Sequence, residues 1–176
     1  MDISVDVLAQ SQQLATTITE NAWLWTGNFL ALIVLTVIFL FFAMKGGRSG
    51  LISFILALYA GYAIYVVFPY TDFIVAMGGT APVKAILSLV IFGAATFLPF
   101  IVIRRLTGGG FGSLTFIPNL ILSFLAAAFL LVLGYHVFDI SNIYQFSQPL
   151  DQLFAPEGFF FWWFIAPLIG LFLLAR

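Results

Sequence analysis

Two groups of residues in this sequence have the types and spacing that chemistry uses. KGGRSG, Lys45 to Gly50, sets two cations among three glycines, the composition of a phosphate-cradling loop. A P-loop, however, reads G-x-x-x-x-G-K-[ST] between a strand and a helix. KGGRSG lacks that spacing, and FLFFAM before it and LISFILALYAGYA after it are helical in length and character. His136 and Asp139 stand three apart, so one helical face could carry both, as a proton relay or half of a metal site. The chain has one histidine and no cysteine, whereas a protein-held metal takes three or four ligands. The plainer reading is a polar pair at headgroup level. No thiolate nucleophile and no disulfide framework are available either. The sequence therefore predicts no enzyme, no cofactor and no metal site.

The elements that would position these residues are apolar throughout. Of 176 residues, 63% are hydrophobic and 7% charged, and the mean hydropathy is +1.16. Soluble domains carry about a quarter charged residues, so lipid is the expected solvent. A net charge of -1 predicts no nucleic-acid partner, because few phosphates could be neutralised. Five apolar runs stand out, at about 23–44, 51–70, 83–103, 116–138 and 159–175. About 20 apolar residues cross a bilayer. The first four meet that length and the fifth sits at its lower edge. The expected fold is an all-α polytopic transmembrane bundle of five spans. The first run follows Asp2, Asp6 and Glu20 with no cation, so it reads as a retained span rather than a signal peptide.

Charge sets the expected orientation. Lys45 and Arg48 follow run one, Arg104 and Arg105 follow run three, and Arg176 ends run five. Alternate crossing puts all five on one side and Lys84 with every acid on the other. Cations in short loops mark the cytoplasmic side. The N-terminus is then expected outside and the C-terminus inside. On this reading KGGRSG is a turn, with glycine ending a helix. Lys45, Arg48, Arg104 and Arg105 act as topology anchors that meet lipid headgroups. Trp23, Trp25, Trp162 and Trp163 fall at the outer interface, where indole is favoured.

No charge falls deep in any run, whereas proton-coupled carriers need one there. Pro99, Pro118 and Pro167 read as kinks rather than broken transporter helices. Small residues recur every four positions: Ser53, Ala57 and Gly61 in run two, and Asn119, Ser123 and Ala127 in run four. Such stripes let helix backbones approach closely, here most simply inside the bundle. Before the first run, residues 1–22 have helical period, with Ile3, Val7, Leu14 and Ile18 on one stripe. They read as an outer amphipathic helix, ahead of a bundle over 23–176. That stripe is the candidate partner surface, and Ser141 to Gly158 is its natural companion.

Lys45-Gly46-Gly47-Arg48-Ser49-Gly50-Leu51 resembles the R-G-F-x-R-G-L turn of the colicin V production (CvpA) family of inner-membrane proteins. Lys45, Gly46, Gly50 and Leu51 match it, and the order of turn, spans and glycine-rich inner loop is similar over about Trp23 to Phe138. Gly110 to Pro118 lacks that family's charged entry into the fourth span. The resemblance implies a bacterial inner-membrane protein linked to export or envelope homeostasis, and no reaction. The expected function is a non-enzymatic accessory or assembly subunit. Its partners would be membrane lipids and other membrane subunits or copies of itself. The alternative is a small oligomeric channel or carrier for an uncharged or lipidic substrate.

Overall fold

The structure, a computed structural model, describes residues 27–107, 116–138 and 140–174. The outer amphipathic segment with Ile3, Val7, Leu14 and Ile18, together with Trp23, Trp25, Asp139 and Arg176, lies outside the described residues. The rest is an all-α bundle: α1 (Leu30–Val67), α2 (Thr71–Ala76), α3 (Ala81–Thr107), α4 (Phe116–Val137), α5 (Gln148–Phe154) and α6 (Glu157–Leu174), with a 3-10 turn at Ile140–Asn142. Among the described residues, α1, α3, α4 and α6 are long and apolar enough to cross a membrane.

The first of these is two helices. Gly47 breaks α1 with φ 73° and ψ 169°, a combination open essentially to glycine alone. Phe39 and Phe54 are 15 positions apart, about 22 Å along an unbroken helix, yet their ring centroids lie 5.2 Å apart. The chain folds back on itself at Gly47. Its limbs, residues 30–46 and 48–67, correspond to the first two apolar runs. The turn is tighter than the sequence suggests. Residues 45–50 are helical on both sides of one glycine, rather than a six-residue loop. The two mid-helix prolines, Pro99 in α3 and Pro167 in α6, lie within continuous helices, as bilayer helices allow.

Because every long helix is apolar all round, no single face directs packing. Between lipid tails there is also no hydrophobic force driving helix against helix, so close packing must come from dispersion and small residues. α4 shows this most clearly. Leu122, Ala126, Ala127, Phe129 and Leu133 are fully buried, between the hairpin on one side and α6 on the other. α3 lies against the hairpin. Aromatic rings tie the layers together. Tyr59 stacks on Phe129 at 4.4 Å, and Phe164 of α6 meets both edge-on at 5.0 and 5.4 Å. Phe92 of α3 meets Phe138 at 4.8 Å. Such pairs add about 0.5–1.5 kcal/mol each beyond their area. Outward faces remain apolar, as at Val37, Phe41, Phe97 and Phe172.

Candidate functional site

At the hairpin end of the bundle, hydroxyl groups form a knot between the second limb of α1 and the end of α3. Ser49 Oγ donates to the Thr107 carbonyl at 3.0 Å and lies 3.2 Å from Thr107 Oγ1. Ser53 Oγ donates to the Ser49 carbonyl at 2.6 Å and sits 2.7 Å from Thr107 Oγ1, which lies 2.9 Å from the Ile103 carbonyl. Arg48 is buried at 8% exposure, and its guanidinium donates to the carbonyl of Leu174, the last described residue of α6. Three elements thus converge on the turn. Arg48 departs from the headgroup-facing position expected of it. The fold-back at Gly47 turns position 48 inward, where it meets the carbonyl end of α6, a favourable place for a cation. Lys45, Arg104 and Arg105 are exposed. Lys45 Nζ lies 5.6 Å from the Phe41 ring centroid, and the Arg104 guanidinium 5.8 Å from that of Phe100.

Midway along the bundle, Ser53, Ala57 and Gly61 are all buried. Gly61 faces α3: a Cβ there would stand 2.1 Å from Thr96 Oγ1 and 2.8 Å from Thr96 Cα. On α4, Ser123 and Ala127 are fully buried and Asn119 is half-buried. Thr96 Oγ1, Asn119 Oδ1 and Ser123 Oγ have no hydrogen-bond partner among the described residues.

The opposite end is capped by the segment after α4. Tyr135 Oη donates to Asp151 Oδ1 at 2.6 Å, and Trp163 Nε1 donates to the Leu153 carbonyl at 3.1 Å. His136 Nε2 lies 2.9 Å from the Phe154 carbonyl, with its ring 4.8 Å from that of Phe160. Ser147 occupies the N-cap position of α5, but its hydroxyl donates to the Asn28 carbonyl instead of capping. His136 is therefore engaged with a backbone group of α5. Its expected partner, Asp139, lies outside the described residues. Among the described residues no three His, Asp or Glu side chains group closely enough to hold a metal ion.

Between the α1 hairpin and α3 runs an apolar groove of about 400 Å³, lined by Phe42, Phe54, Phe92, Gly93, Phe97 and Phe100 among others. A second hollow of about 360 Å³ shares its lining residues Leu89 and Leu130 and continues toward Phe138. Sequence reasoning missed this groove, the Thr107 knot and the Tyr135–Asp151 bond. Each joins residues distant in the chain, and no spacing signals such a pairing.

Fold and surface together define a class: an all-α bundle with the helix lengths and apolar exterior of an integral membrane protein. No protein-family model, curated protein or solved structure matches the chain.

Proposed function

We propose that this protein is a non-enzymatic integral membrane subunit with an accessory or assembly role, its hairpin turn cytoplasmic and the α2–α5 cap outside. The observation that carries this reading is where the polar groups go. Ser49, Ser53, Thr107, Tyr135, His136 and Trp163 all hold one helix to another. Side chains used as internal fasteners suit a scaffold, whereas a conduction path presents them along its lining. Orientation rests on the cations: Lys45, Arg48, Arg104 and Arg105 gather at the turn end, and the described acids, Asp72, Asp151 and Glu157, at the other. The KGGRSGL turn and its likeness to the colicin V production family support a bacterial inner membrane and a link to export or envelope homeostasis.

Partner specificity on this reading lives in the outer polar parts, with Ile3, Val7, Leu14 and Ile18 as the docking stripe. Burying four such side chains is worth about 1.5–3 kcal/mol each before ordering costs. The test is purification of the full chain and of a variant lacking residues 2–20. The intact chain should carry a stoichiometric membrane partner and the deletion should lose it while still inserting. A deletion that keeps its partners and its cellular phenotype would sink the proposal. The second reading, a carrier for a lipidic substrate, is favoured by the apolar groove beside α3. Flux of such a substrate in vesicles containing only this protein would decide for it.

A further inference from the structure

The groove between the α1 hairpin and α3 has a polarity. Its walls are aromatic and aliphatic, and at the turn end it lies beside one exposed cation, Arg104. Phe100 lines it, and the Arg104 guanidinium sits 5.8 Å from that ring. Phe42 and Phe54 line the hairpin side, with their rings 6.3 and 6.2 Å from that of Phe100, while Lys45, on the same limb as Phe42, lies over the Phe41 ring outside the groove lining. The flank is open toward the lipid side. Phe97 is 61% exposed, and a Cβ on Gly93 would meet nothing within 4 Å. Phe100 and Leu89 are 11 residues apart on α3, about 17 Å, which is roughly one leaflet of a 30 Å hydrocarbon core. The volume, about 400 Å³, lies in the range of about 300–1,000 Å³ typical of small-ligand sites. The described acids are at the far end of the bundle, so among the described residues no acid lies at the mouth.

We propose that this groove is the binding site of a single anionic phospholipid, its acyl chain lying between the α1 hairpin and α3 and its phosphate at Arg104. Chain and headgroup are recognised by different means. The aromatic walls take any acyl chain, and the Arg104 guanidinium selects the charge. The inference rests on the bundle spanning a membrane and is independent of an accessory role. The bound lipid would fill the seam between α1 and α3 as a structural component.

Native mass spectrometry of the full chain, released from vesicles of equal phosphatidylcholine and phosphatidylglycerol, tests it. One phosphatidylglycerol should be retained in preference to phosphatidylcholine. Arg104→Gln should lower that preference about fivefold. Arg105→Gln, 100° further round the helix, should leave it nearly unchanged. Gly93→Phe, which places a ring in the groove and favours helix over glycine, should remove the retained lipid of either kind. Equal retention of the two lipids by the native chain would overturn the proposal. So would equal effects of Arg104→Gln and Arg105→Gln, which would mean bulk attraction to the turn end, or a Gly93→Phe variant carrying lipid at the native level. A chain that remained in solution without detergent would overturn both this proposal and the membrane reading beneath it.

Discussion

Gly61 and Thr96 hold the second limb of α1 and α3 at the distance of a missing methyl group. A Cβ on Gly61 would stand 2.1 Å from the threonine hydroxyl and 2.8 Å from its Cα. The hydroxyl could rotate away, but the backbone could not. The two helices can meet here only because one residue has no side chain.

Gly61→Ala should therefore destabilise the bundle by about 1–3 kcal/mol, and Gly61→Leu by more. Ala60→Leu, on a half-buried neighbouring position, should be tolerated better. Thr96→Ala should rescue Gly61→Ala only in part, because the clash with the backbone of residue 96 persists. Thermal unfolding in detergent orders the four variants. Equal midpoints for Gly61→Leu and Ala60→Leu would refute the close crossing.

Gly47 is needed for the opposite reason. Beyond its chain neighbours and the backbone of its own helix, no atom lies within 4 Å of a Cβ built there, and its backbone sits at φ 73° and ψ 169°. Gly47→Ala should cost about 1–3 kcal/mol through backbone strain alone. Unlike Gly61→Ala, it should not be relieved by truncating any neighbour. Comparing Gly47→Ala with and without Phe42→Ala checks this, and relief by the second change would show that the first is steric.

Thr107 is the centre of the turn-end knot. Thr107→Val keeps the shape and removes the hydroxyl that meets Ser49, Ser53 and the Ile103 carbonyl. A loss of about 1–2 kcal/mol is expected, since interhelical hydrogen bonds in bilayers average about 0.6 kcal/mol. In a double-mutant cycle, Ser53→Ala should cost less once Thr107→Val is present. Strict additivity would mean the two hydroxyls do not interact.

Tyr135→Phe removes the 2.6 Å donor to Asp151 Oδ1. Hydrogen bonds to charged groups contribute about 1.5–3 kcal/mol when buried, and Asp151 is only half-buried, so the lower end applies. The effect should be local. Amides of residues 148–154 should exchange faster in Tyr135→Phe while those of α4 are unchanged. Uniform exchange in both segments would show that the cap does not depend on this bond.

The cysteine-free chain permits a direct test of orientation. Leu106, 82% exposed beside the cations of α3, and Tyr144, 61% exposed in the cap, are better placed for labelling than Ser49, which is engaged with Thr107. In intact cells an impermeant maleimide should modify Tyr144→Cys and spare Leu106→Cys. The reverse pattern would invert the bundle.

Composition and hydropathy alone determined that this chain is an all-α bundle of membrane-spanning character, because lipid punishes an unpaired backbone group and only long apolar helices satisfy every one internally. Spacing alone also pointed to Gly61 as a packing position and to Lys45–Gly50 as a turn. The interior arrangement was left to tertiary structure. Arg48 looks like its neighbour Lys45 in sequence, yet the fold-back at Gly47 turns one inward to the Leu174 carbonyl and leaves the other exposed. Thr107, Tyr135 and Asp151 have no local pattern, and their roles appear only when helices far apart in the chain are laid side by side. Helices apolar on every face carry no stripe that says which neighbour each will meet. That choice falls to the close packing of small and aromatic side chains, which exists only once the bundle has formed.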